Sequence, residues 1–134
     1  GAGEDPYLGS KIAKARVHGF QGDDLKKDNT IAACAKHFAA YGFAEAGREY
    51  NTVDIGTSTL FNMVLPPFKA ASESGVKTFM NSFNDLNGIP VSAIYNAIFL
   101  KADGALKALL FQIGHPLTSL YLGDMLKTKR KLQN

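Results

Sequence analysis

The sequence is poor in cysteine: its 134 residues include one, Cys34. A single thiol cannot close an internal disulfide, and it cannot by itself form a metal site with cysteine-ligand spacing. Its setting, Ala-Ala-Cys-Ala, is apolar, which predicts a buried, inert thiol rather than a nucleophile. Long apolar runs are also missing. No stretch approaches the roughly twenty residues a membrane-spanning helix needs, so no membrane partner is expected. Gly1 to Pro6 is polar and acidic, not basic and then apolar, so no signal peptide is expected in this stretch. Any export signal of a parent protein would lie upstream. There is no glycine-rich phosphate loop, serine-nucleophile elbow, paired-histidine metal motif or internal repeat. Neither a cofactor nor a metal is therefore expected.

What is present suits a globular chain. Hydrophobic residues make up 46% and charged residues 20%, a balance that separates it from disordered sequences. The length is that of one domain and can enclose a core. The net charge of +3 is uneven, because the run from Lys127 to Lys131 supplies four cations and leaves the remainder close to neutral. Such a tail reads as a solvated segment. Recruitment of nucleic acid through it is the alternative.

Along the chain, Asp5 is placed to cap a helix whose first residue is Pro6, with Leu8, Ile12, Val17 and Phe20 as its apolar positions and Gly22 as its end. Asp23 to Asn29 is a charged connector. Ile31 to Phe38 fits a buried parallel strand by position, although its alanines also favour helix. Tyr41 to Gly56 reads as a long loop. A helix capped by Thr57 or Ser58 follows, carrying Leu60, Met63 and Val64. Pro66-Pro67 should break it and start a second short helix closed by Gly75. Val76 to Met80 is the next strand, and Asn84 to Gly88 is turn-rich. Strands alternating with helices predict βαβ units, a parallel sheet and an α/β fold.

Chemistry is expected at strand ends. Lys36 and His37 stand side by side near the end of the first strand, where alternation sends adjacent side chains to opposite faces. Both reach one site only if the strand breaks there; otherwise His37 is a core histidine beside a snorkelling lysine. Arg48 lies among Glu45, Glu49 and Asp54, either in a surface ion pair or as a bidentate donor to hydroxyls or a carboxylate. His18 reads as structural.

Four segments taken in order resemble glycoside hydrolase family 3, in its periplasmic β-glucosidase branch. They are Gly3 to Leu8, Ala35 to Gly42, Gly47 to Asp54, and Leu65 to Phe68 with Met80 to Gly88. The resemblance covers residues 1–93. It implies part of a (β/α)8 TIM barrel, and a parent enzyme, periplasmic or secreted, that removes terminal β-D-glucosyl residues by a retaining mechanism. By resemblance, Lys36, His37 and, less directly, Arg48 bind hydroxyls of the sugar at the cleavage subsite, with Met80 and Phe83 lining the same pocket. Where many relatives carry tyrosine, Phe83 lacks the hydroxyl. The implied substrate partner is a β-glucoside or oligosaccharide.

From residue 94 onward the resemblance stops. The family continues into a Trp-Gly-Phe-Lys-Gly-Phe-Val-Val-Ser-Asp-Trp segment whose aspartate is the nucleophile, whereas this chain reads Asp103-Gly104-Ala105 and on to His115. In the neighbouring codon frame, Asp103-Gly104 permits tryptophan, Leu109 to Phe111 permit two valines, and Gln112-Ile113 gives aspartate or asparagine. Residues 94–134 are therefore expected to be an out-of-frame tail, with a frameshift between about Ala93 and Asp103 and a helical character. No catalytic residue is then present. The expected outcome is an inactive glycosidase fragment; the alternative is a small binding module, either a carbohydrate-binding remnant or the basic-tail nucleic-acid binder.

Overall fold

The computed structural model describes residues 2–93 and the strand Leu109–Phe111. The rest of the tail, including His115 and the basic run from Lys127 to Lys131, lies outside the described residues.

Helix α1 spans Pro6–Gln21 and starts as its sequence predicts, with the Asp5 carboxylate accepting a hydrogen bond from the Tyr7 N–H at 2.8 Å. It stops at Gly22, whose N–H returns to the His18 carbonyl. The buried face matches the expected one at Val17 but not at Leu8 and Phe20. Leu8 and Phe20 are exposed, while Val17 and Gln21 are buried and Ala13 packs against the core. At Gly9 helix α1 lies close against helix α3 (Leu65–Glu73): a Cβ there would stand 3.2 Å from Pro67 Cγ. Large side chains at that seam would hold the helices apart. His18 is exposed on this helix.

Strand β1 is Cys34–Phe38 and strand β2 is Thr78–Asn81; they pair in parallel. Between them the chain crosses over through α2 (Thr57–Thr59), a π-helical turn (Leu60–Val64) and α3. Parallel neighbours require such a crossover, so the expected βαβ unit is present. The first cap is Gly56, not Thr57 or Ser58, and no side chain bonds there. Nor does Pro66-Pro67 break the helix. The Leu65 N–H bonds the Leu60 carbonyl, five residues back, and the backbone stays helical into α3. The wider π turn gives the proline rings room, and both prolines fall in the first turn of α3, where a missing N–H leaves little unsatisfied.

Strands β3 (Asp85–Leu86) and β4 (Ile89–Pro90) form a tight antiparallel hairpin. Its turn residues Asn87 and Gly88 have φ of 52° and 79°. Two consecutive positive values are what a two-residue type I′ turn demands, and Asn-Gly meets that demand at low cost. Residues 91–93 begin a further helical turn.

Strand β5 (Leu109–Phe111) pairs in parallel with β2, giving the order β1-β2-β5. The helical character expected of the tail therefore fails at these three residues. An apolar Leu-Leu-Phe run without helical periodicity meets the open edge of β2, whose N–H and C=O groups favour a strand partner.

One sheet face is covered. Phe38 and Phe79 are fully buried, and Phe68 of α3 meets Phe38 edge-on at 5.1 Å. The other face carries Cys34, Lys36, Thr78 and Met80, in register as Cys34 with Thr78 and Lys36 with Met80. Cys34 is exposed, which overturns the expectation of a buried thiol. Its apolar neighbours are split by strand alternation, so that Ala33 faces the core while Cys34 turns away from it.

Candidate functional site

The site forms where β1 and β2 end. Lys36 pairs with Met80, but the next pair is Phe38 with Asn81, so β1 contributes one residue more than β2 and His37 is left out of the ladder. This is a β-bulge, which re-aims the side chains around it. In an unbroken strand Lys36 and Phe38 would share a face. Here Lys36 is exposed and Phe38 fully buried, while His37 is half-buried between them. The strand breaks at His37, the position where the sequence left two arrangements open. The Lys36–His37 and Phe38–Ala39 peptide bonds are cis.

Beyond the bulge, two turns hold the strand ends together. The Ser82 N–H donates to the Phe38 carbonyl at 2.7 Å, and Ser82 Oγ and Asn84 Nδ2 both reach the Ala39 carbonyl. These contacts set Phe83 beside His37, with ring centroids 6.4 Å apart. Tyr41 meets the His37 ring edge-on at 5.6 Å and Phe83 at 6.2 Å. Tyr50 meets Phe83 at 5.0 Å with the rings tilted by 38°.

Tyr50 reaches this cluster because the hairpin pins its loop. The Val53 N–H donates to the Asp85 carbonyl, and the Asn87 N–H donates to the Val53 carbonyl. The Asn87 amide bonds both the N–H and the C=O of Ile55 at 2.9 Å. Val53 is fully buried as a result. The Glu45 N–H donates to the Thr52 carbonyl and Asn51 Nδ2 to the Glu45 carbonyl, closing the loop on itself.

Of the predicted site residues, Lys36, His37, Met80 and Phe83 gather at this end of the sheet. Arg48 lies in the loop two residues before Tyr50; its side chain is exposed and forms neither the ion pair nor the bidentate contact considered for it with any described residue. Tyr41 and Tyr50 escaped the sequence reading. Both lie inside the segments that carry the resemblance, and an aromatic residue in an otherwise polar loop is the clue that could have singled them out. Tyr41 holds its phenol above the ordinary value of 10.0, first through desolvation, then through the nearby charge of Glu49 and through Tyr50.

Several buried polar atoms here have no hydrogen-bond partner among the described residues: His37 Nδ1, both amide atoms of Asn81, Asn84 Oδ1 and Asp85 Oδ1. Unpaired buried groups are costly and rare, and these fall at the end of β1 and on residues 81–85. Among the described residues no group of histidine, cysteine and carboxylate side chains is arranged to hold a metal ion.

The sheet thus ends in a bulge carrying a Lys-His pair, with the Phe83 ring from the next strand end beside His37. Comparison with known proteins gives the class: the chain belongs to glycosyl hydrolase family 3, residues 1–103 matching the model of that family's N-terminal domain. It is similar to the periplasmic beta-glucosidase of Salmonella typhimurium, 42% identical over 93 residues, or 69% of this chain and 12% of that protein. It is also similar to the exo-1,4-beta-xylosidase bxlB of Emericella nidulans, 42% identical over 95 residues, or 68% of this chain and 12% of that protein. The beta-glucosidase of Listeria innocua crystallised with isofagomine superimposes with a TM-score of 0.75 at 43% identity, covering 82% of this chain and 16% of that one. The chain thus spans about an eighth of the length of these curated relatives.

Proposed function

We propose that this chain is the sugar-contacting portion of a retaining β-glucosidase and performs no hydrolysis alone. In this reading the three parallel strands are part of a (β/α)8 barrel, whose chemistry gathers at the carboxyl ends of its strands. Lys36 donates hydrogen bonds and positive charge to sugar hydroxyls, His37 offers a ring nitrogen to a neighbouring hydroxyl, and Met80 and Phe83 wall the pocket. Arg48 is assigned to the same sugar by motif alone. The observation that carries the reading is the bulge at His37, which delivers adjacent side chains to one strand end beside Phe83.

Retaining hydrolysis needs a nucleophilic carboxylate and a second acid roughly 5–5.5 Å away. Neither is assigned here. Residues 94–134 are read as a non-homologous, out-of-frame tail, with the frameshift between about Ala93 and Asp103; the family match runs into this interval and ends at residue 103. The parent enzyme is placed in the periplasm on its likeness to a protein so named. Its substrate is a β-glucoside, although the chain is also similar to a protein named as an exo-1,4-beta-xylosidase.

The purified chain is expected to give no turnover of an aryl β-glucoside. Activity that stays with the chain through purification and disappears in His37→Ala would overturn the reading. An uninterrupted gene lacking the Ser-Asp-Trp codons in any frame would overturn the frameshift.

A further inference from the structure

Tyr50 is an expensive residue where it stands. Its φ is 63°, in the left-handed region that bulky side chains avoid, although Asn51 next to it belongs to a type that tolerates this region well. The ring is not needed for the core, being 67% exposed. The loop around it is closed by Glu45, Asn51 and Thr52 and clamped through Val53, so the strain is held by contacts that do not involve the ring.

The direction of the rings is informative. His37 is half-buried, Phe83 is 41% exposed and Tyr50 is 67% exposed, with steps of 6.4 and 5.0 Å between centroids. Ring contacts run from His37 through Phe83 to Tyr50, and exposure rises along that series. One flank of Tyr50 rests on Phe83; the rest is open. A pyranose presents a face of C–H bonds that packs well on the electron-rich face of such a ring, and a tyrosine with two rotatable angles gives up little entropy in offering it.

We propose that Tyr50 is a stacking platform for the second sugar ring of a β-linked glucose disaccharide, one step beyond the terminal sugar held at Lys36 and His37. The assignment rests on the reading of that pair given above. It makes Tyr50 a positioning residue and a determinant of chain-length preference.

The test is calorimetric titration of the 134-residue chain with glucose and with cellobiose, comparing Tyr50→Asn, Tyr50→Phe and His37→Ala. Tyr50→Asn keeps a residue suited to the backbone while removing the ring, so its melting midpoint should be equal or higher. It should weaken cellobiose binding roughly three- to ten-fold and leave glucose binding unchanged. Tyr50→Phe should keep the cellobiose preference, since the stacking face is retained. If Tyr50→Asn leaves the ratio of the two affinities unaltered, or weakens both sugars equally, the platform is refuted while the pocket stands. If the unmodified chain binds neither sugar, or His37→Ala leaves glucose binding intact, the underlying assignment of the pair fails and the platform falls with it.

Discussion

Tyr41 shows how much one side chain owes to its surroundings. Set between His37 and Phe83, its phenol is pushed upward chiefly by desolvation and secondarily by Glu49. A raised phenol is one whose neutral form the folded chain prefers. Folding stability should therefore hold below the ordinary value of 10.0 and decline as pH rises from there through the raised value, because the unfolded chain releases that proton first. Ultraviolet titration of phenolate should show one tyrosine ionising late. Glu49→Gln should move it only part of the way back, since the larger cause remains. Full return to the ordinary range would show that charge, not desolvation, dominates. At the same scale, the bulge at His37 decides whether Lys36 and His37 can cooperate, and no property of either residue taken singly could reveal that.

Among the elements, α1 and the two strands are joined by one buried amide. Gln21 Nε2 donates to the Gly75 carbonyl at 3.0 Å, and its Oε1 accepts from the N–H groups of Ala33 and Lys77 at 3.2 and 3.0 Å. One side chain thus ties the end of a helix to the approaches of both β1 and β2. Ala33 is buried, so removing its acceptor leaves a donor without water, whereas Lys77 is exposed and can rehydrate. Gln21→Ala should cost on the order of 1–3 kcal/mol, read from urea unfolding. A change near zero would mean the clasp is replaced by solvent. The Asn-Gly turn works in the same way on the opposite side of the site: by fixing Val53 and Ile55 it places the loop that carries Arg48 and Tyr50.

At the scale of the molecule, the sheet is finished on one side only. The face bearing Phe38 and Phe79 is closed by helix α3, while that bearing Cys34, Lys36 and Met80 has no covering helix among the described residues. Exposed Leu8, Phe20, Ile31, Phe61 and Met63 add apolar surface of the kind that aggregates or binds partners. The chain spans 12% of the length of the Salmonella typhimurium relative it matches. Cys34 reports on the uncovered face directly. In the native chain it should react with a thiol reagent nearly as fast as in denaturant, because it is exposed on the open face. Protection that denaturant removes would show that face to be closed, by folding of the tail or by self-association.

Local rules written into the residues determined the start of α1 at Asp5-Pro6, the alternation of strand and helix, the turn at Asn87-Gly88 and the ordered motifs that place the chain in its family. Each depends on neighbours a few residues apart, so spacing was enough. The tertiary structure was needed wherever distant segments compete for the same space. It left Leu8 and Phe20 of α1 exposed and brought Gly9 close to Pro67. It carried the helix through Pro66-Pro67 by way of a π turn, exposed Cys34 by alternation, and assembled Tyr41, Tyr50, Phe83 and His37 from two loops and a strand. Contacts among residues far apart in the chain are settled by packing and by the hydrogen bonds that packing permits, and neither is written in local sequence.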